Sequence, residues 1–322
     1  MSATSIVKWL CVALFIVLAM IVAFFLKEPD EGRLSETSKV LRAVDGSILE
    51  LRLTSTGHWR EPVKLNEIDP QLLKILIAYE DKRFWQHHGV DFLAVGRAII
   101  DGLKAGRVVS GASTLTMQTV RLMHPELGGR TVFAKLEQML EAVRLEAHWS
   151  KEQILEAYFT LAPYGGNIEG IRAASNSWFD KDPAALTTSE AAFLVALPQS
   201  PEMRRPDRFP EIAHLAKAHV LRAVSSRVSF DETQLAEFVT ERLPSQRSAP
   251  KSLSPHLMDR LTDENIIEKT TDIREWQNAV TDIMVEVVQG FDVPTNAAAL
   301  VVERKTGKVR AYVGSSGYLS QE

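Results

Sequence analysis

The apolar run from Trp9 to Leu26, closed by Lys8 on one side and Lys27 on the other, constrains this chain more than any other feature. Its length is close to the ~20 residues that cross a bilayer as a helix, and long for the apolar part of a secretory signal. No small-x-small cleavage pair follows it, so an uncleaved anchor is the reading and a cleaved signal the alternative. The flanking charges are nearly balanced, Lys8 and the amino terminus against Lys27 and Arg33, and set orientation only weakly. Most of the chain lies after the run, which predicts one membrane pass, a short cytoplasmic tail and an outer domain. Cys11, the only cysteine, lies inside the run, so no intrachain disulfide is available and the outer domain must hold together through its core.

Past a polar spacer at 28–36, Val40 to Leu53 alternates on both sides of Asp45-Gly46, a hairpin pattern. From Asp69 to about Leu221 apolar residues recur at three-four spacing, in Gln71–Tyr79 and again in Phe92–Leu103. The segment from Thr131 to Trp149 sets Val132, Leu136, Met139, Leu140, Val143 and Ala147 along one face. Ser150 is a fair N-cap for Lys151–Leu161, and Thr188 or Ser189 for a helix over Glu190–Leu197 that stops before Pro198. These predict an all-α domain of about 150 residues, an ordinary size. Residues 223–294 read as helical and charged. Ala297 to Val313 reads as a second hairpin around Lys305-Thr306-Gly307-Lys308, and a lone hairpin is marginal in water. A net charge of -4 leaves no basic excess to displace phosphate counterions, which argues against nucleic acid as a partner.

Two stretches carry chemistry. Glu80-Asp81-Lys82-Arg83-Phe84-Trp85-Gln86-His87-His88-Gly89 gathers a carboxylate pair, two cations and two imidazoles before a glycine. Gly111-Ala112-Ser113-Thr114-Leu115-Thr116-Met117-Gln118 is a run of small hydroxyl residues ending in an amide, suited to sugar hydroxyls or phosphate oxygens. Alone, each has a bland reading: a solvated carboxylate pair at a helix end, and a polar loop. The adjacent histidines make no metal site, because no third ligand stands at a suitable spacing.

Together the stretches resemble the first two motifs of the family 51 peptidoglycan glycosyltransferases, the polymerising domains of class A penicillin-binding proteins. Glu80, Asp81, Phe84, His87 and Gly89 fill every fixed position of Glu-Asp-x-x-Phe-x-x-His-x-Gly. The second stretch is similar to Gly-x-Ser-Thr-x-Thr-Gln-Gln, with Met117 in place of a glutamine. Further on, Lys151 to Tyr158 resembles Lys-x-x-Ile-Leu-Glu-x-Tyr, with Thr160 where asparagine is common. Gly165 to Lys181, Glu190-Ala191-Ala192 and Leu197-Pro198-Gln199-Ser200-Pro201 also match, in a mainly architectural role.

The resemblance implies a mainly α, lysozyme-like glycosyltransferase domain behind one N-terminal transmembrane helix, with short β-hairpins near both ends. The implied divisions are 1–32, the anchor; 33–68, a juxtamembrane hairpin region; 69–222, the glycosyltransferase domain; 223–294, a helical linker; and 295–322, the truncated start of a transpeptidase-like domain. Lipid II and a lipid-linked growing glycan are the implied substrates, at the outer side of a bacterial plasma membrane, with other cell-wall synthases as partners. Glu80 is the implied base, since a carboxylate in a sheltered site can take the proton of an attacking hydroxyl. The implied substrate-binding residues are Asp81, Arg83, His87, Ser113, Thr114, Gln118, Arg121, Arg130, Lys135 and Gln138, with His87 orienting its neighbours. No metal ligand or tightly bound cofactor is expected, although Mg2+ or Mn2+ can accompany the pyrophosphate. Phe92, Leu93, Val95, Ile99 and Ile100 are expected either at the membrane or in the core.

The third motif departs most. Where the family typically reads Arg-Lys-x-x-Glu, this chain has Ala134-Lys135-Leu136-Glu137-Gln138. Gln138 cannot exchange a proton, and Glu137 points about a hundred degrees away from it around a helix. The diphosphate leaving group needs positive charge more than a proton, and Arg83, Arg121, Arg130 and Lys135 are candidates to supply it. Lys305-Thr306-Gly307 spells one transpeptidase motif, but Ser5-Ile6-Val7-Lys8 and Ser248-Ala249-Pro250-Lys251 match Ser-x-x-Lys by letters alone, so no transpeptidase activity is expected. Two rivals stand beside the transferase: a hydrolase on the same scaffold, which would need a second carboxylate, and a non-catalytic scaffold that binds lipid II or partner synthases.

Overall fold

The computed structural model describes residues 3–106, 112–129, 131–250, 252–261, 270–291 and 295–317, with only part of the side chains in the first helix. Helix α1 (Ala3–Leu26) precedes the hairpin β1 (Lys39–Arg42) and β2 (Ile48–Arg52) and the short strand β3 (Trp59–Arg60). Then come α2 (Pro70–Glu80), α3 (Phe92–Ala105), α4 (Leu115–Met123), α5 (Val132–His148) and α6 (Lys151–Leu161). After β4 (Ile168–Glu169) follow α7 (Ile171–Phe179), α8 (Thr188–Ala196), α9 (Pro210–Val228), α10 (Glu232–Thr240), α11 (Pro255–Arg260) and α12 (Arg274–Gln289), and last the hairpin β5 (Ala299–Val302) and β6 (Val309–Val313). The chain is mainly helical, as its periodicity predicts.

Local chemistry starts these helices where the backbone needs acceptors. Asp69 takes the amide of Gln71 at 2.7 Å ahead of Pro70, whose missing N–H costs nothing in the first turn. Ser150 and Gln153 form a reciprocal capping box at the start of α6. For α8 the cap is Thr187, one residue before the predicted Thr188 and two before Ser189. Only there does the third residue on, Glu190, return a carboxylate oxygen to the cap's own amide, at 2.8 Å. The expected hairpin at Asp45-Gly46 forms, with β1 and β2 antiparallel and Gly46 at φ +90°.

The core lies where α2 packs between α8 and α9, and α4 between α5 and α6. The β1–β2 hairpin is buried on both faces. Val40 and Ile48 join the main core, while Leu41, Ala43 and Leu49 pack on Leu253 in a second cluster. Strand β3 pairs in parallel with β4, and the fully buried Arg60 meets Glu169 there with Nε to Oε2 at 2.8 Å.

Two helices turn apolar side chains outward. On α3, Phe92, Leu93, Ile100 and Leu103 are exposed, while Val95 is half-buried against the core; the side chain of Ile99 lies outside the described residues. On α5 the buried face is Gln138, Ala142, Arg144 and Leu145. Met139 and Val143 half-pack against the core, but Val132, Leu136, Leu140 and Ala147 of the predicted apolar face are exposed, as is Phe133. Periodicity locates a stripe without saying what covers it, and here the protein interior does not. The end of α1 meets α5: His148 Nε2–H donates to the carbonyl of Phe25 at 2.8 Å, and the Arg144 guanidinium lies 4.8 Å from the centre of the Phe24 ring. Among the described residues no helix is long and apolar enough to cross a membrane.

Candidate active site

Glu80 is the last residue of α2 and Asp81 the first beyond it, and their side chains take separate partners. Glu80 is half-buried. Its Oε2 accepts from Gln118 Nε2 of α4 at 3.0 Å, and its Oε1 from Gln199 Nε2 at 2.6 Å. Gln199 lies in the short 3-10 turn Leu197–Gln199 that ends α8. Sequence reading gave that stretch an architectural role, and its glutamine instead touches the candidate base. Nothing in the sequence relates positions so far apart.

Asp81 is buried and committed. Its Oδ2 receives both the Leu115 amide, at the first residue of α4, and His87 Nε2, each at 2.9 Å. His87 lies on the edge of the Phe84 ring, with its Nδ1 3.4 Å from Lys151 Nζ. Lys151 in turn donates to Glu146 at 2.7 Å and sits 4.4 Å above Phe84, and Glu146 also accepts from Thr116. Four motif segments thus meet in one knot below Glu80.

Thr114 belongs to the same framework. Its hydroxyl donates to the carbonyl of Gly89 at 2.6 Å and caps α4 by accepting the Met117 amide at 3.1 Å. Gly89, at φ +81°, passes so close to α5 that a Cβ would sit 2.5 Å from the carbonyl of Ala142. Met117 faces the core, so the departure from glutamine there removes no polar group from the surface beside Glu80.

The cations divide. Arg83 forks onto Asp91, which also caps α3 through the Ala94 amide, so its charge is largely answered within the fold. Lys135 donates to Ser113 Oγ at 2.5 Å. Burial lowers its ammonium below the ordinary lysine range, and the nearby Arg121 pushes the same way. Among the described residues neither Lys135 nor Arg121 forms an ion pair with a carboxylate. Arg121 stands one turn beyond Gln118 on the same side of α4. The buried Tyr158 lies within the field of both Glu80 and Arg121; burial above all raises its phenol, and the Glu80 charge adds to that. Gln138 is buried, its amide donating to the carbonyl of Leu127 at 2.5 Å, so it ties α5 to the preceding turn. Glu137 is exposed. Arg130 and Gly111 lie outside the described residues.

A cavity of ≈ 1060 Å³ lies elsewhere, between the β1–β2 turn and α6, and Glu80 is not on its wall. All three arginine and lysine side chains on its wall pair with carboxylates there, Arg42 with Glu61, Lys64 with Glu156 and Arg172 with Glu67 and Asp182. The chemistry therefore centres on Glu80.

Residues 46–225 match the family model for transglycosylases. The chain belongs to that family, glycosyltransferase 51. Among its curated relatives, penicillin-binding protein 1C of Escherichia coli is 36% identical over 280 residues, covering 86% of this chain and 36% of that one. Penicillin-binding protein 1F of Bacillus subtilis is 30% identical over 284 residues, 81% of this chain and 39% of that one. This transglycosylase chain thus spans little more than a third of the relatives' length. The crystal structure of penicillin-binding protein 1A from Haemophilus influenzae aligns with a TM-score of 0.39 at 14% identity over 83% of this chain and 37% of that one, too slight a likeness to argue from.

Proposed function

We propose that this transglycosylase polymerises lipid II into β-1,4-linked glycan, working at the outer face of a bacterial plasma membrane. The observation that carries the reading is a half-buried Glu80 held by two amides, one of them Gln118 a turn before Arg121 on α4, with Lys135 near Arg121 and neither cation paired with a carboxylate among the described residues. In a lysozyme-like domain of this family, Glu80 takes the proton from the acceptor hydroxyl of lipid II as that oxygen attacks the anomeric carbon of the lipid-linked donor. The bond from that carbon to the diphosphate breaks on the opposite face, so the α linkage becomes β. The diphosphate leaves as an anion, and Lys135 and Arg121 stabilise the charge that develops on it. Among the described residues no three His, Cys, Asp or Glu side chains stand together as a metal cage, so a divalent cation taking part would be carried by the substrate's phosphate oxygens.

The membrane reading draws on the apolar run from Trp9 to Leu26, close in length to the ~20 residues that cross a bilayer. It also draws on the apolar side chains that α3 and α5 turn outward, Phe92, Leu93, Ile100 and Leu103 on one and Val132, Phe133, Leu136 and Leu140 on the other. Anchor and apolar faces together would hold Glu80 near substrates that live in the same bilayer.

Gln138 favours one competing reading, a lipid II-binding scaffold, because the position that is a second functional carboxylate in the family holds an amide spent on Leu127. Fluorescent lipid II incubated with the detergent-solubilised chain separates the two. Glycan ladders that vanish with Glu80→Gln and with moenomycin support the transferase. A folded chain that binds lipid II and makes no ladder transfers the case to the scaffold, and digestion of mature cell wall to a hydrolase.

A further inference from the structure

We propose that Gln199, held in place by Arg204, is a positioning residue for the Glu80 carboxylate, forming with Gln118 a two-amide clamp on the candidate base; the inference rests on the transferase reading above. The orientation of the Gln199 amide follows from its partners. Arg204 can only donate, and its Nη1 lies 3.0 Å from Gln199 Oε1, so the carbonyl side of the amide faces Arg204. The NH2 side must then face Glu80, where it is found at 2.6 Å. The carboxylate can only accept, so Gln118 likewise presents its NH2, to the other oxygen. Each oxygen of Glu80 holds one fixed donor and keeps a further lone pair for a hydroxyl proton.

Arg204 is fixed by a second bond, Nη1 to the carbonyl of Ala196 at 2.5 Å, at the last residue of α8. The relay therefore runs from the rigid end of α8 through Arg204 and Gln199 to Glu80. It is needed because Glu80 closes α2, where the helix dipole is negative and a carboxylate is disfavoured. A flexible carboxylate at that position would turn outward into water. Two neutral donors, one of them backed by a guanidinium, hold it in place without neutralising it.

Gln199 is exposed, so its bonds do little for folding and its effect should fall on geometry. A misplaced base loses rate steeply, because reacting groups must be held in line before proton transfer. With the full chain in detergent, Gln199→Leu is expected to lower kcat for lipid II polymerisation about tenfold, or 1.4 kcal/mol. KM should stay within about twofold and the melting temperature should not change. Arg204→Ala should give a similar loss, Arg204→Lys should recover part of it, and the Gln199→Leu/Arg204→Ala pair should lose no more than either alone, as one relay requires. A Gln199→Leu enzyme with wild-type kcat, or one in which only KM rises, would overturn the proposal.

A second measurement does not depend on turnover. In chain labelled with 15N-glutamine, the side-chain NH2 signals of Gln118 and Gln199, assigned by loss in Gln118→Leu and Gln199→Leu, should both move in Glu80→Gln. If neither moves, the clamp does not exist. If they move and the wild-type chain makes no glycan, the clamp stands and the transferase reading falls.

Discussion

Adjacent residues of one motif, Glu80 and Asp81, belong to two regions built on opposite principles. Around Asp81 the side chains of His87, Thr114, Glu146 and Lys151 are drawn into a buried knot in which each meets a protein partner. Gln118 and Gln199, which hold Glu80, and the Ser113, Lys135 and Arg121 group beyond them are exposed or half-buried, with two positive charges that no carboxylate answers among the described residues. The first arrangement is what a fold needs, since an unpaired polar group in the interior is costly. The second is what a substrate needs, since groups already satisfied by protein have nothing to offer a ligand. On the proposed function, this dipeptide holds one residue kept for chemistry and one kept for architecture.

Substituting each carboxylate separately is the strongest way to break the comparison. Glu80→Gln should lower polymerisation by about 10²–10⁴-fold, the usual worth of a general base, with an unchanged melting temperature. Asp81→Ala should instead unfold the protein more easily, by about 3 kcal/mol, because the Leu115 amide and His87 lose their buried acceptor. Denaturant unfolding of the two variants, read beside glycan synthesis, checks both. Were Asp81→Ala to keep full stability and lose only turnover, the division drawn between the two residues would be wrong.

Gln138 sharpens the same contrast from the other side. Restoring the family's glutamate would put a carboxylate where an amide now donates to the Leu127 carbonyl, setting acceptor against acceptor inside the protein. Gln138→Glu is expected to cost about 1–3 kcal/mol of stability and to bring no gain in turnover. A melting curve and a lipid II assay on the variant decide it: faster polymerisation at undiminished stability would mean that position 138 reaches the substrate after all.

Local features of this chain were readable because they are written in neighbouring residues. Asp69 and Ser150 announce their helices through short hydrogen-bonding side chains followed by a helical pattern, and Asp45-Gly46 announces a hairpin through a backbone that tolerates positive φ. Glu80 and Gln118 stood out through the motifs around them. What stayed hidden depends on packing between distant segments. Gln199 meets Glu80 because α8 lies against α2, and β3 meets β4 through two residues on each side, too few to leave a pattern. What covers the apolar face of α5 was not legible for a related reason. Apolar periodicity identifies a surface that avoids water and is the same whether protein or lipid covers it.

The finest test of the comparison concerns the open region alone. Lys135 titrates below the ordinary lysine value of 10.5, first because it is buried and then because Arg121 is near; Ser113, its hydrogen-bond partner, is uncharged. A lysine whose folded pKa is lowered costs stability while it is charged. That cost is present below the folded pKa and is relieved as pH rises from there towards 10.5, where the unfolded chain binds more protons. Activity that needs the charged form should run the other way, failing as pH rises through the lowered value. Arg121→Ala removes the like charge, so the Lys135 pKa should move up, and the alkaline limb of the polymerisation profile should move to higher pH with it. Turnover at neutral pH should fall at the same time, because one of the two cations proposed to face the diphosphate is gone. An alkaline limb that stays in place while neutral activity falls would mean that Lys135 is not the group whose charge the leaving diphosphate feels.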